Sequence, residues 1–148
     1  MTGNYKQIQL TNNAIGDVEV NGYIPLGNVT RRINAPNNCS NTFVLTTQGG
    51  NSLVINESGF YKITYSLTAE AAAAGEVTVS LDVNNTSIYS VTQAIVDETN
   101  AVNLTLVYTI RVSPNCAVSY DNVPVTLQMQ NTGIALTGSS ANLIVEKL

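Results

Sequence analysis

Apolar and polar residues alternate with a period of two through most of this 148-residue chain. Successive side chains of an extended strand point to opposite faces, so the pattern describes strands with one buried and one wet side. Gly59-Phe60-Tyr61-Lys62-Ile63-Thr64-Tyr65-Ser66-Leu67 places Tyr61, Ile63, Tyr65 and Leu67 on one face and Lys62, Thr64 and Ser66 on the other. Val77, Val79, Leu81 and Val83 alternate with Thr78, Ser80 and Asp82; Asn84-Asn85 then supplies a turn and Ile88-Tyr89 resumes an extended run, which reads as a hairpin. Val102, Leu104, Leu106, Tyr108, Ile110 and Val112 form a longer stripe that ends at Ser113-Pro114-Asn115, because proline cannot donate to a ladder.

Further along, Val123, Val125, Leu127 and Met129 alternate with Pro124, Thr126, Gln128 and Gln130, with Pro124 marking a strand start or a sheet edge. Gly138-Ser139-Ser140 reads as a turn, and Ala141 to Leu148 as a final strand, apolar on both faces and therefore expected to be covered on both. Segments 42–48 and 52–56, joined through Gly49-Gly50-Asn51, predict another hairpin. Thr68 to Ala74, rich in Ala and Glu, is too short for an independent helix and is expected as a loop or a single turn. Residues 1–33 alternate only briefly, at Ile8/Leu10 and Val18/Val20, and read as an N-terminal arm with short strands ahead of a domain over 34–148. Eight to ten strands without a convincing helix predict an all-β sandwich, with a jelly roll or Greek key fitting best.

Composition narrows the chemistry. The chain has no His and two Cys, Cys39 and Cys116, so a zinc site or a His-dependent triad within one chain is excluded. The two cysteines lie far apart in turn-like contexts, and both a disulfide and free thiols stay open. Ten acidic against six basic residues, with pI ≈ 4.5, remove the basic footprint that nucleic acid requires. No stretch approaches the ~20 apolar residues of a membrane span, and Met1 to Gln7 lacks the pattern of an export signal. Asp97-Glu98 is the only adjacent acidic pair and reads as a solvated loop; Asp82, Asp97, Glu98 and Asp121 would hold calcium only if the fold gathered them. Ser, Thr and Tyr have no base to activate them, and no Gly-rich phosphate loop occurs, so neither an enzyme nor a cofactor is expected. Six Asn-x-Ser/Thr sequons begin at Asn28, Asn38, Asn56, Asn84, Asn85 and Asn103, as abundant Asn in turns produces. The pair Arg31-Arg32 reads as a solvated strand end, with docking of an acidic partner as the alternative.

Gly59-Phe60-Tyr61-Lys62-Ile63-Thr64-Tyr65 resembles the Gly-x-Tyr-x-hydrophobic-x-Tyr/Phe strand of tumour-necrosis-factor and complement globular-head jelly rolls, with Ser52 to Ser58 in the place of the preceding strand. Leu81-Asp82-Val83-Asn84-Asn85-Thr86-Ser87-Ile88 is similar to a hairpin in the C-terminal domains of bacterial spore-surface collagen-like glycoproteins. Val125 to Gln128, Ile134 to Leu136 and Ser140 to Leu148 follow in that subgroup's order, so the resemblance covers residues 42–148. No collagen-like tract precedes the domain.

The resemblance implies a homotrimer packed through aromatic and aliphatic side chains, with Phe60, Tyr61, Tyr65, Tyr108 and Leu148 as interface candidates. Tyr61 and Tyr65 read equally as core residues with hydroxyls at the sheet rim, whereas Phe60 falls on the polar face and needs a partner chain or stays a wet apolar patch. The function expected is therefore structural and non-enzymatic: a trimeric component of a phage virion surface, such as a head fibre, decoration protein or attachment tip. Residues 1–33 would dock to the particle, and Thr92–Asn100 and Ser113–Asn122 would face outward. A carbohydrate-binding module and a spore-surface domain are the alternatives.

Overall fold

The computed structural model describes residues 6–34, 42–45, 50–96, 101–114 and 123–148. Those residues form strands β1 (Lys6–Asn12), β2 (Gly16–Val18), β3 (Asn28–Asn34), β4 (Phe43–Leu45), β5 (Leu53–Ile55), β6 (Gly59–Ala71), β7 (Gly75–Val83), β8 (Thr86–Ile95), β9 (Ala101–Val112), β10 (Val125–Asn131) and β11 (Leu136–Lys147). No helix is found among them, and so none is long and apolar enough to cross a membrane.

Two antiparallel sheets face one another. One runs β3-β1-β11-β6-β9, with β2 also on β11, and the other runs β4-β5-β10-β7-β8. From β6 onward the chain crosses between them, β7 and β8 joining the five-stranded sheet, β9 the six-stranded, β10 the five-stranded and β11 the six-stranded again, which is a jelly-roll winding. The apolar stripes read from the sequence turn inward from both sheets. Tyr61, Ile63, Leu67, Val102 and Leu106 on one side meet Val77, Val79, Leu81, Val125 and Leu127 on the other in a single buried cluster. Each such side chain stabilises the fold by roughly 1.5–3 kcal/mol of apolar burial.

Local chemistry sets the turns. Asn84 and Asn85 both have positive φ, 50° and 65°, so the β7–β8 hairpin closes through a two-residue turn whose twist suits the flanking strands. After β10 the chain passes so close to β7 that a Cβ on Gly133 would sit 2.3 Å from the Glu76 carbonyl oxygen, and only glycine fits. Buried Asn131 organises the same corner: its Nδ2 donates to the carbonyls of Ile134 at 2.9 Å and Glu19 at 3.2 Å, and its Oδ1 accepts from the Gly133 amide.

Three expectations change. Thr68 to Ala71 is neither loop nor turn but the end of the 13-residue β6, where Ala69 and Ala71 continue the inward alternation with small side chains. Gly138-Ser139-Ser140 does not turn; β11 runs through it from Leu136, absorbing the irregularity as a register shift against β6 between Gly138 and Ser140. Residues 6–34, expected as an arm ahead of the sandwich, supply β1, β2 and β3 to it, and β1 lies inside the sheet between β3 and β11 with Ile8 and Leu10 buried. The glycines and Pro25 between these strands broke up the alternation and concealed their place in the core.

Candidate interaction face

The outward side of the six-stranded sheet is built by four strands in register. Gln7, Glu146, Lys62 and Thr109 form one row across β1, β11, β6 and β9; Gln9, Ile144, Thr64 and Val107 form the next. Beyond them come Thr11, Asn142, Ser66 and Thr105, then Ser140, Thr68 and Asn103. At the opposite end Phe60 pairs with Arg111, and the Leu148 amide donates to the Phe60 carbonyl. The face thus divides by chemistry. Near its base Phe60 (55% exposed) and Leu148 (70%) leave apolar surface in water, and beyond the row that carries Glu146 and Lys62 the exposed Val107 (49%) and the half-buried Ile144 flank Thr64.

Toward the other end the face is neutral and polar. Gln9 Nε2 donates to Asn142 Oδ1 at 2.9 Å, Thr11 Oγ1 donates to the same oxygen at 3.2 Å, and Thr68 Oγ1 donates to Asn103 Oδ1 at 3.0 Å. A shallow depression of about 310 Å³ opens there, with Gln9, Thr11, Ser66, Thr68, Ser140 and Asn142 among its walls and no ionisable side chain in its lining.

The five candidates from the sequence separate accordingly. Phe60 and Leu148 are exposed on or beside this face. Tyr61 and Tyr65, at 0% and 2% exposure, point into the sandwich, the core reading that alternation had left open. Burial pushes both phenols above the ordinary tyrosine range, for Tyr61 with a smaller push from the nearby Glu57 charge. The Tyr61 hydroxyl donates to the Glu57 carbonyl at 2.7 Å, while the Tyr65 hydroxyl is buried without a hydrogen-bond partner. Tyr108 also lies on the inward side of β9, half-buried, and stacks on Tyr89 of β8 with ring centroids 4.7 Å apart and planes 15° from parallel. That stack closes the sandwich where the edge strands of the two sheets meet.

An ion cluster at the base of the sandwich left little trace in the sequence. Glu57, in the β5–β6 turn, accepts from Lys6 Nζ at 2.6 Å and Lys147 Nζ at 2.5 Å, joining the start of β1 to the end of β11. Burial alone would raise the Glu57 carboxyl, but the hydrogen bonds and charges of the two lysines prevail and hold it below its usual range. Three residues so distant in the chain have no readable spacing; a Lys at the inward phase of β1 was the one available hint.

Among the described residues no group of three His, Cys, Asp or Glu side chains could hold a metal ion. Asp97, Glu98, Asp121, Cys39, Cys116, Asn38 and Tyr120 lie outside the described residues, as do residues 97–100 and 115–122 of the two loops expected to face outward; Thr92–Ile95 of the first is not loop but the end of β8, paired with β7. Arg31 and Arg32 are exposed on the edge strand β3.

No family model matches the sequence, and no curated protein matches it. Solved structures do match the fold. PRD1 vertex protein P5 is similar with a TM-score of 0.59 at 14% identity, over 97% of this chain and 96% of that one. Murine APRIL at pH 5.0 is similar with a TM-score of 0.68 at 5% identity, over 97% of this chain and 99% of the other. The tumour necrosis factor Eiger of S. frugiperda gives 0.64 at 13% identity, over 98% and 93%. The globular domain of a zebrafish complement 1qA protein also matches, at 0.62 and 7% identity, over 97% and 96%. The chain therefore has the all-β jelly roll of the tumour-necrosis-factor and complement-head type.

Proposed function

We propose that this chain is a non-enzymatic structural protein of a virion surface that works as a homotrimer. The observation that carries the reading is the outward face of the six-stranded sheet, where Phe60, Val107 and Leu148 stand in water on either side of the Glu146–Lys62 row and Ile144 is only half-buried, on a strand that the sequence marked as apolar on both sides. A flat, partly apolar sheet face is the kind of surface that closed association of identical copies covers. The likeness to PRD1 vertex protein P5 supports the particle setting. The similarity of the Leu81–Ile88 hairpin to spore-surface domains supports a spore coat as the other particle.

Docking to the particle through residues 1–33 takes a different form once β1 is internal to the sheet. A detached arm would uncover Ile8 and Leu10, so attachment would use the edge strand β3, on which Arg31 and Arg32 are both exposed. Light scattering on the purified chain tests the association directly: a mass of about 47 kDa is expected, three times the 15.7 kDa of one chain. Phe60→Ser together with Val107→Ser should lower that mass while leaving the strand circular dichroism unchanged. A wild-type mass of one chain at micromolar concentration would refute the trimer.

A glycan-binding module is the second reading, favoured by the uncharged hydroxyl- and amide-lined depression on the same sheet. Titration with neutral oligosaccharides, followed by amide chemical shifts, should perturb Ser66, Thr68 and Asn142 under that reading and leave them unmoved under the first.

A further inference from the structure

Every basic residue of the chain lies on a strand of the six-stranded sheet: Lys6 on β1, Arg31 and Arg32 on β3, Lys62 on β6, Arg111 on β9 and Lys147 on β11. The strands of the five-stranded sheet carry no Lys or Arg. Lys6 and Lys147 are neutralised by Glu57, and Lys62 stands in register with Glu146. Arg31 and Arg32 have no such compensation. Neither makes a salt bridge among the described residues, and neither β1 nor β3 contains an Asp or Glu.

The strand that carries them is wet on both faces. In register, Gln9 faces Arg31 on the outward side, whereas Ile8 and Leu10, both fully buried, face Arg32 and Val29 on the core side. Yet Arg32 is exposed and Val29 is 38% exposed, so the five-stranded sheet stops short of β3 and leaves its core side in water. Among the described residues β3 pairs with β1 alone, and the N–H and C=O groups of its other edge are open to a further strand. What keeps it ordered is that one ladder and the bulge residue Thr30, whose Oγ1 lies 3.1 Å from Thr11 Oγ1 and donates to the Gln9 carbonyl at 3.3 Å.

We infer that β3 is the seat of an extended acidic segment of a partner protein, which adds to the six-stranded sheet as an outer strand and sets one carboxylate against Arg31 on the outward side and another against Arg32 on the core side. The inference rests on the reading of β3 as the attachment strand and is independent of the trimer. Neighbouring residues of a strand point to opposite faces, so two adjacent acidic residues in the segment reach both guanidiniums at once. Val29 and the half-buried Ile33 flank the arginines along β3, so β-branched residues suit the positions on either side of the acidic pair. A second copy of this chain is a poor occupant. Pairing β3 with β3 would bring Arg31 and Arg32 of both copies together along one seam that holds no carboxylate.

The probe is a short capped peptide of Thr and Val with Asp-Glu at its centre, titrated into the isotope-labelled full chain. Binding should shift the β3 amides and slow hydrogen exchange at those β3 N–H groups that point away from β1, with the Leu148 amide, bonded to Phe60, as the unmoved reference. Arg31→Glu together with Arg32→Glu should weaken the complex by roughly tenfold or more, since two exposed ion pairs become repulsions, and leave circular dichroism and mass unchanged. Added salt should weaken the wild-type complex as well. N-methylation of alternate peptide nitrogens, which keeps the carboxylates and removes the ladder donors, should abolish the protection. Unmoved β3 amides at millimolar peptide, equal binding of a Lys-Lys peptide, or undiminished binding to the charge-reversed variant would overturn the inference. Equal binding of the N-methylated peptide or of a single-stranded oligonucleotide, lost on charge reversal, would keep β3 as the attachment strand but overturn strand addition, whereas no binding by any probe would remove both. A wild-type chain that binds the peptide as a monomer would retain the inference and remove the trimer.

Discussion

Replacing Glu57 with Gln should reveal how much the ion cluster at the base of the sandwich contributes. The substitution keeps the size of the side chain but turns an acceptor of two ammonium groups into an amide with one acceptor oxygen. Lys6 and Lys147 are held at 2.6 and 2.5 Å, and their side chains retain only 10% and 20% exposure, so neither ammonium regains full hydration when the carboxylate is lost. A charge-assisted hydrogen bond is worth roughly 1.5–3 kcal/mol, and breaking a fully buried pair costs about 3–5 kcal/mol. The Glu57 side chain is 34% exposed, which screens the charges and moves the expectation toward the lower, surface-pair limit. The expected loss is about 2–3 kcal/mol, or roughly 4–12 °C in Tm for a chain of this size.

Urea unfolding at fixed protein concentration, followed by circular dichroism, measures it; concentration must be held constant because association is linked to stability. The sign with pH is also fixed. A carboxyl whose folded pKa is depressed contributes stability in full above its unfolded value of about 4.5 and loses it as the pH falls through the lower folded value. The gap between wild type and Glu57→Gln should therefore be widest at neutral pH and close in acid. Lys6→Met in the Glu57→Gln background should recover part of the loss, since an apolar stem needs no counter-charge. A loss under about 0.5 kcal/mol, or a gap that does not narrow in acid, would show the cluster to be an ordinary surface pair.

Other substitutions probe the remaining supports. Tyr65→Phe should stabilise the protein by about 1 kcal/mol in the same urea assay, because it removes a buried hydroxyl that has no partner. Asn131→Ala should destabilise it by about 2–4 kcal/mol, since the carbonyls of Ile134 and Glu19 and the Gly133 amide lose their side-chain partner in a site with no exposure. Gly133→Ala should cost about 3 kcal/mol or leave the protein unfolded, as backbone atoms of Glu76 and Thr78 stand 2.3 and 2.5 Å from the new Cβ. Replacing Asn85, at φ 65°, by Val should lower stability by about 1–2 kcal/mol, while Gly there should be neutral or slightly stabilising.

The two-residue period was enough to assign the inward and outward faces of β6, β7 and β9, and with them most of the core, because a strand offers only two faces and one must be dry. It also placed Phe60 on the wet side and located the Asn84-Asn85 turn, whose backbone demands are local. What pairing decides was out of reach. The membership of β1 in the middle of a sheet depends on hydrogen bonds to β11, more than a hundred residues away, and the Lys6–Glu57–Lys147 cluster joins residues 51 and 90 positions apart. Alternation says that a residue faces inward but not what it meets there, so Tyr61 and Tyr65 stayed ambiguous until the second sheet was in place. The sequence alone determined the class of element and the side of each strand, through short-range sterics and hydrophobic period. Only the tertiary structure decided which charges are stranded or paired and which apolar side chains remain in water, because those depend on chain segments that share no local pattern.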